Sequence, residues 1–209
     1  MSIIKKINQR YKQTTCDNLS CGNNLVYADI NYGETVLDLG CGSGRDAVEV
    51  AQIVGPAGKV TGIDLTPEMV TRAWERATEE KINNVSFVEG SIESLPFPDN
   101  VFDLVISNCA INHCPDKYIV FQEIYRVLKP RGRFVISDVV SKDPLPDKVK
   151  KDPQAWADCY GGAITEKEYI SIISQSGFQQ TEIINKLEYL KNEFEFASLT
   201  IKSFKDKGV

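Results

Sequence analysis

The sequence predicts an α/β fold built on a doubly wound, mostly parallel sheet, on three observations. Short apolar runs of strand length alternate with segments whose apolar residues recur at helical spacing. The first such strand opens through closely spaced glycines directly onto a helix. The chain is 209 residues long, 42% hydrophobic and 25% charged, which suits one sizeable core. Strand and helix in alternation imply parallel strands joined by right-handed crossovers.

The elements follow in order. Ile3, Ile7 and Tyr11 sit one helical turn apart, the stripe of a short amphipathic helix over residues 1–13. A polar stretch with Cys16 and Cys21 comes next. Thr35 to Leu39 (TVLDL) reads as a buried strand, Arg45 to Val54 as a helix stopped by Gly55-Pro56, and Lys59 to Asp64 as a second strand. Thr66-Pro67 is a helix start, because a threonine side chain caps free N–H groups and proline fits the first helical position. Met69, Val70, Ala73, Trp74 and Ala77 form the apolar face of that helix. Val85 to Glu89 and Phe102 to Ser107 are the third and fourth strands. A helix carrying Ile119, Ile124, Val127 and Leu128 ends at Lys129-Pro130, and Phe134 to Val140 is the fifth strand. Ser141 to Pro153 is proline-rich and charged, and Gln154 to Thr165 holds Trp156, Cys159 and Gly161-Gly162. Glu166 to Ser176 is helical, and Phe178 to Phe204 reads as two strands around Lys191-Asn192. With no linker in sight, residues 1–209 form one domain. Residues 1–30 are expected to act as a lid or substrate segment, and residues 141–165 as a substrate-facing insert.

Composition excludes several classes. Lys plus Arg total 24 against 29 Asp plus Glu, a net charge of −5, whereas duplex binders carry a basic excess. No run approaches the ~20 apolar residues of a membrane span, and Met1 to Arg10 lacks a signal-peptide core. Six cysteines fall short of the roughly 8–10% of a disulfide scaffold. The expectation is a cytoplasmic protein with free thiols, no nucleic-acid partner and no membrane partner.

The strongest constellation is Asp38-Leu39-Gly40-Cys41-Gly42-Ser43-Gly44, between a strand and a helix, with Asp64 ending the next strand. Glycines there let backbone approach a ligand closely, and a carboxylate at the second strand end can hold both hydroxyls of a ribose. The G-x-G-x-G spacing and the carboxylate of Asp38 oppose a pyrophosphate and suit a cation. Here the chain resembles the class I S-adenosylmethionine-dependent methyltransferases, in VLDLGCGSG (Val36 to Gly44), VTGIDLTPEMV (Val60 to Val70), LPFPDNVFDLVIS (Leu95 to Ser107) and VLKPRGRFVISD (Val127 to Asp138). The resemblance implies a Rossmann-like seven-stranded sheet with an antiparallel last strand. It implies that Asp38, Gly40, Gly42 and Gly44 surround the methionine part of S-adenosylmethionine and that Asp64 holds the ribose. Leu65 would then lie against the adenine, Ile92 and Glu93 at its edge, and Asn108 beside the cofactor.

Methyl transfer is an in-line displacement in which the protein aligns a lone pair and excludes water. The segments that could supply the acceptor all carry cysteine: Cys109 and Cys114 after the fourth strand, Cys159 in the insert, Cys16 and Cys21 before the first strand. Converging thiolates make a soft site that selects thiophilic ions, and trivalent arsenic keeps a lone pair for the incoming methyl. Ser107 to Asn112 (SNCAIN) with Pro115-Asp116-Lys117, Trp156 to Ala163 (WADCYGGA) and Ser20 to Asn23 resemble the arsenite methyltransferases. The resemblance runs from Cys21 to Lys205, without that family's long C-terminal extension. It implies that Cys109 and Cys159 bind arsenic, with Cys21 as third thiolate and redox partner, Cys16 being the alternative, and with a cellular thiol as reductant. Cys41 and Cys114 are read as packing. His113, the only histidine, supports another reading, a C- or O-methyltransferase of a small metabolite such as a quinone precursor, in which it would act as general base. A non-catalytic S-adenosylmethionine-binding regulator is the third.

Overall fold

In the computed structural model of the protein, residues 3, 6, 7, 10, 22 and 24–206 are described. Strands β1 (Thr35–Leu39), β2 (Lys59–Asp64), β3 (Val85–Glu89), β4 (Phe102–Asn108), β5 (Leu128–Ser141), β6 (Gln179–Lys191) and β7 (Phe194–Phe204) form one sheet. Its order is β3-β2-β1-β4-β5-β7-β6. The first five strands are parallel, and β7 runs antiparallel to both β5 and β6. The helices are α1 (Arg45–Val54), α2 (Pro67–Glu79), α3 (Lys117–Val127), α4 (Asp147–Lys150), α5 (Pro153–Ala157) and α6 (Glu166–Gln175). The α/β class, the seven strands and the antiparallel last strand are as the sequence predicts. No described helix is long and apolar enough to cross a membrane.

Strand alternation explains the two layers. Val36, Leu104, Ile106 and Val135 face one side, where Ala47, Ala51 and Val54 of α1 and Ala73 and Ala77 of α2 cover them. Leu37, Leu39, Val105, Phe134 and Ile136 face the other, under Phe121 and Ile124 of α3 and Tyr169 and Ile173 of α6. Neighbouring side chains point to opposite faces of a strand, so near-continuous apolar runs are what a sheet covered on both sides requires.

Some local readings change. Thr66 precedes α2 but its side chain makes no capping bond; its N–H instead donates to Asp64 Oδ1 at 2.8 Å. Trp74 is 45% exposed, with its ring edge-on to Phe87 at 5.4 Å, so only part of it joins the apolar face. Leu128 starts β5 rather than closing α3. Pro130 cannot continue a helix, and left-handed Arg131 (φ 67) accompanies a register jump from Phe102↔Leu128 to Leu104↔Arg133. The insert also folds further than its prolines suggest, into α4 and α5, where the Asp152 side chain accepts the Gln154 N–H.

Several contacts unseen in the sequence pin the chain before β1. Arg133 is buried; it donates to both carboxylate oxygens of Glu34 at 2.7 and 2.9 Å and to the carbonyls of Ala28 and Asp29. Asn108 Nδ2 donates to the Gly22 carbonyl, and Asn24 Nδ2 to that of Ser107. Gly22 fits where a Cβ would meet Ser137 Oγ at 2.7 Å. Arg10 forms an ion pair with Asp158, tying the start of the chain to the insert.

Candidate active site

The carboxyl ends of β1 and β4 adjoin where the strand order reverses, the place where open α/β sheets bind ligands. On the β1 side, Gly40 and Cys41 donate N–H groups to the Ile63 carbonyl at 2.8 and 3.0 Å, laying the glycine loop across the end of β2. Gly40 is left-handed (φ 66), and a Cβ there would meet Ala110 Cβ at 2.3 Å. The glycine loop thus touches the loop after β4 directly. Gly42 (φ 51) faces open space, whereas Gly44 is closed in by Ala73 and Phe87, which makes it a packing position.

Asp38 is buried, and its Oδ2 has no hydrogen-bond partner. Burial first, then the charges of Asp46 and Asp64, hold its carboxyl well above the usual range. Asp64 accepts N–H groups from Gly42 at 2.9 Å and Thr66 at 2.8 Å, so its carboxylate is fixed in orientation with lone pairs to spare. Leu65 is 48% exposed beside it, while Ile92 is buried. Glu93 is half-buried, its N–H on Ser91 Oγ. Asn108 is committed to Gly22 and also bonds Asp46, so its amide joins three segments.

On the β4 side the loop and the insert meet. Cys109 is 3% exposed and its N–H donates to the Ser137 carbonyl at 2.8 Å. Cys159 is half-buried and packs on the cluster that holds Cys109, Val139, Tyr160 and Phe196. Both cysteines are left-handed, with φ 60 and 63, a region that non-glycine residues enter at a cost. Asn112 Nδ2 bridges the Val139 and Cys159 carbonyls at 2.6 and 3.4 Å. A Cβ on Gly162 would lie 2.0 Å from the Asn112 carbonyl oxygen, so only glycine lets the insert come this close. Lys117 is buried and donates to the Gly162 and Cys114 carbonyls. Beneath it Asp138 accepts from Tyr169 Oη and the Val139 N–H; burial pushes its pKa up to about 6, with Lys117 opposing. Trp156 Nε1 donates to the Lys150 carbonyl, anchoring the insert. His113 Nε2 lies 3.4 Å from Cys159 Sγ.

Cys41, Cys114 and Cys159 are reduced thiols, but Cys109 is disulfide-bonded. The expectation of free thiols therefore fails at Cys109: a cysteine count does not say which sulfurs are brought within bonding distance. Cys41 and Cys114 are buried in the two layers, as packing requires, and burial pushes Cys114 up to about 12. Cys16, Cys21 and Tyr11 lie outside the described residues. Among the described residues no group of three His, Cys, Asp or Glu side chains could hold a metal ion.

A methyltransferase-domain family matches residues 30–193. The chain belongs to that family. It is 45% identical over 170 residues to the arsenite methyltransferase of Halobacterium salinarum, covering 81% of this chain and 44% of that protein. It is 36% identical over 188 residues to the Homo sapiens arsenite methyltransferase, covering 81% and 50%. The chain thus spans about half the length of these relatives. The crystal structure of an arsenic(III) S-adenosylmethionine methyltransferase from Chlamydomonas reinhardtii superposes with TM-score 0.83 at 34% identity, over 97% of this chain and 74% of that one.

The residues present fit S-adenosylmethionine, the cofactor named for the Chlamydomonas reinhardtii neighbour. An unpartnered buried oxygen on Asp38 suits the ammonium group of a methionine moiety. The open face of Gly42 admits a close approach, and Asp64 stands ready for ribose hydroxyls. Sequence reasoning missed Lys117, Asn112 and Asp138, which brace the acceptor side. Their signal was present only as neighbours of the cysteine-bearing words.

Proposed function

We propose that this methyltransferase domain methylates trivalent arsenic held by its own thiolates. Cys109 and Cys159 are two of the ligands, and Cys21 or Cys16 supplies the third. One observation carries the reading: two cysteines remote in sequence join one cluster at the carboxyl edge of the sheet, each in strained left-handed backbone. The similarity to arsenite methyltransferases supports it.

Bound S-adenosylmethionine supplies a sulfonium-activated methyl carbon. Asp38 holds its ammonium group and Asp64 its ribose, with Leu65 and Ile92 at the adenine and Glu93 as acceptor for its amino group. The contact of Gly40 with Ala110 sets the spacing between this half and the thiols. Cys109 and Cys159 each displace one carrier thiol from arsenic, forming an As–S bond while the proton departs on the carrier. Because Cys109 is disulfide-bonded, a cellular thiol reductant first returns it to the thiol, two reductant thiols being oxidised for one protein disulfide reduced. The apolar cluster around them excludes water. The ion pair of Arg10 with Asp158 supports the chain start as a lid on the insert.

The test is incubation of the reduced protein with arsenite, glutathione and methyl-labelled cofactor. Labelled methylarsenic is the expected product. Label appearing only on an added phenol or quinone, with none on arsenic, overturns the reading.

A further inference from the structure

His113 closes a short 3-10 turn, Ile111–His113, directly after Cys109 and Ala110. Its Nε2 lies 3.4 Å from the sulfur of Cys159, within reach for a sulfur hydrogen bond. A ring nitrogen without a proton accepts such a bond, and a thiol can donate it. A thiol carries one proton and its lone pairs point elsewhere. A thiol proton held by the imidazole nitrogen therefore turns the lone pairs of Cys159 away from His113.

We propose that His113 is the positioning residue of Cys159: its Nε2 accepts the thiol S–H, aims the sulfur lone pairs into the space shared with Cys109, and relays the proton to the sulfur that leaves arsenic. The relay step rests on the arsenite reading; the hydrogen bond does not. In that step the bond between arsenic and one carrier sulfur breaks and an As–S bond to Cys159 forms. The thiol proton crosses Nε2 to the departing carrier, which leaves as a neutral thiol, and no electrons change hands.

The experiment measures iodoacetamide alkylation of Cys159 in the reduced 209-residue chain, without arsenic, by peptide mapping. His113→Leu is compared with His113→Gln, which keeps a hydrogen-bonding group. Leucine should slow alkylation about fivefold and glutamine should recover much of the rate, the scale of one net hydrogen bond. KM for glutathione-bound arsenite should rise by a similar factor of about five in the leucine variant, with kcat within about twofold. Circular dichroism and cofactor affinity identify a variant that has not folded. An alkylation rate in a folded His113→Leu within about twofold of the parent overturns the proposal, as does equal slowing in both variants, which would mark a role in shape alone. The alkylation contrast in a parent protein that methylates no arsenic supports the His113–Cys159 pair and overturns only the arsenite reading.

Discussion

The cofactor side of the cleft is made from contiguous chain, the acceptor side from segments far apart. Asp38 to Gly44 runs from the end of β1 through one turn to α1, held by two backbone bonds to Ile63, and Asp64 lies on the neighbouring strand. Cys109 and Cys159 come instead from the end of β4 and from the insert after β5. They are held together by Asn112, Lys117 and the bare backbone of Gly162. The first half depends on local geometry and the second on tertiary packing. Each should therefore fail separately, except where the two touch, as Gly40 does at Ala110.

Gly40→Ala tests that exception. A left-handed alanine overpacked against Ala110 should cost about 2–4 kcal/mol in urea unfolding, and it should lower both cofactor affinity and methyl transfer. Loss of only one property would show that the halves do not meet there. Asp64→Ala should cost about 100-fold in cofactor affinity by calorimetry, the worth of two hydrogen bonds to a carboxylate, while Cys159 alkylation stays unchanged. A parallel fall in thiol reactivity would argue against independent halves. Gly162→Ala should act oppositely, pushing the insert off Asn112 at a cost of about 1–3 kcal/mol. Here methyl transfer falls and cofactor affinity holds.

A further effect concerns pH. The Asp138 carboxyl is raised from 3.8 to about 6, so the folded chain keeps a proton that the unfolded chain has lost in that interval. The associated stability is whole below the unfolded value and is lost as pH rises through the folded one. The unfolding free energy of the parent relative to Asp138→Asn should therefore decline between pH 4 and 6.5, by at most about 3 kcal/mol. A flat or rising difference contradicts the shift.

The same contrast explains what the sequence makes legible. Strand alternation and the words around Gly40 are local signals, and β1 to β4 fall within a residue of their predicted bounds. Leu128 falls in β5 and not in α3, because its apolar side chain suits helix and strand alike and only the register to Phe102 decides. The exposure of Trp74 reflects how far α2 reaches past β3, which periodicity does not encode. Cys109 and Cys159 can be named from their flanking words, but their meeting depends on Gly162 fitting against Asn112. The left-handed backbone at both cysteines, the bracing by Lys117 and Asp138, and the Arg133–Glu34 pair appear only once the strands are in register.

Arsenic K-edge absorption of the reduced protein, loaded with arsenite and freed of carrier thiol, addresses the gathering of sulfurs most directly. The account predicts an all-sulfur first shell that loses one sulfur in Cys159→Ser and one in Cys109→Ser. A shell of oxygen, or a sulfur shell indifferent to both substitutions, would contradict it.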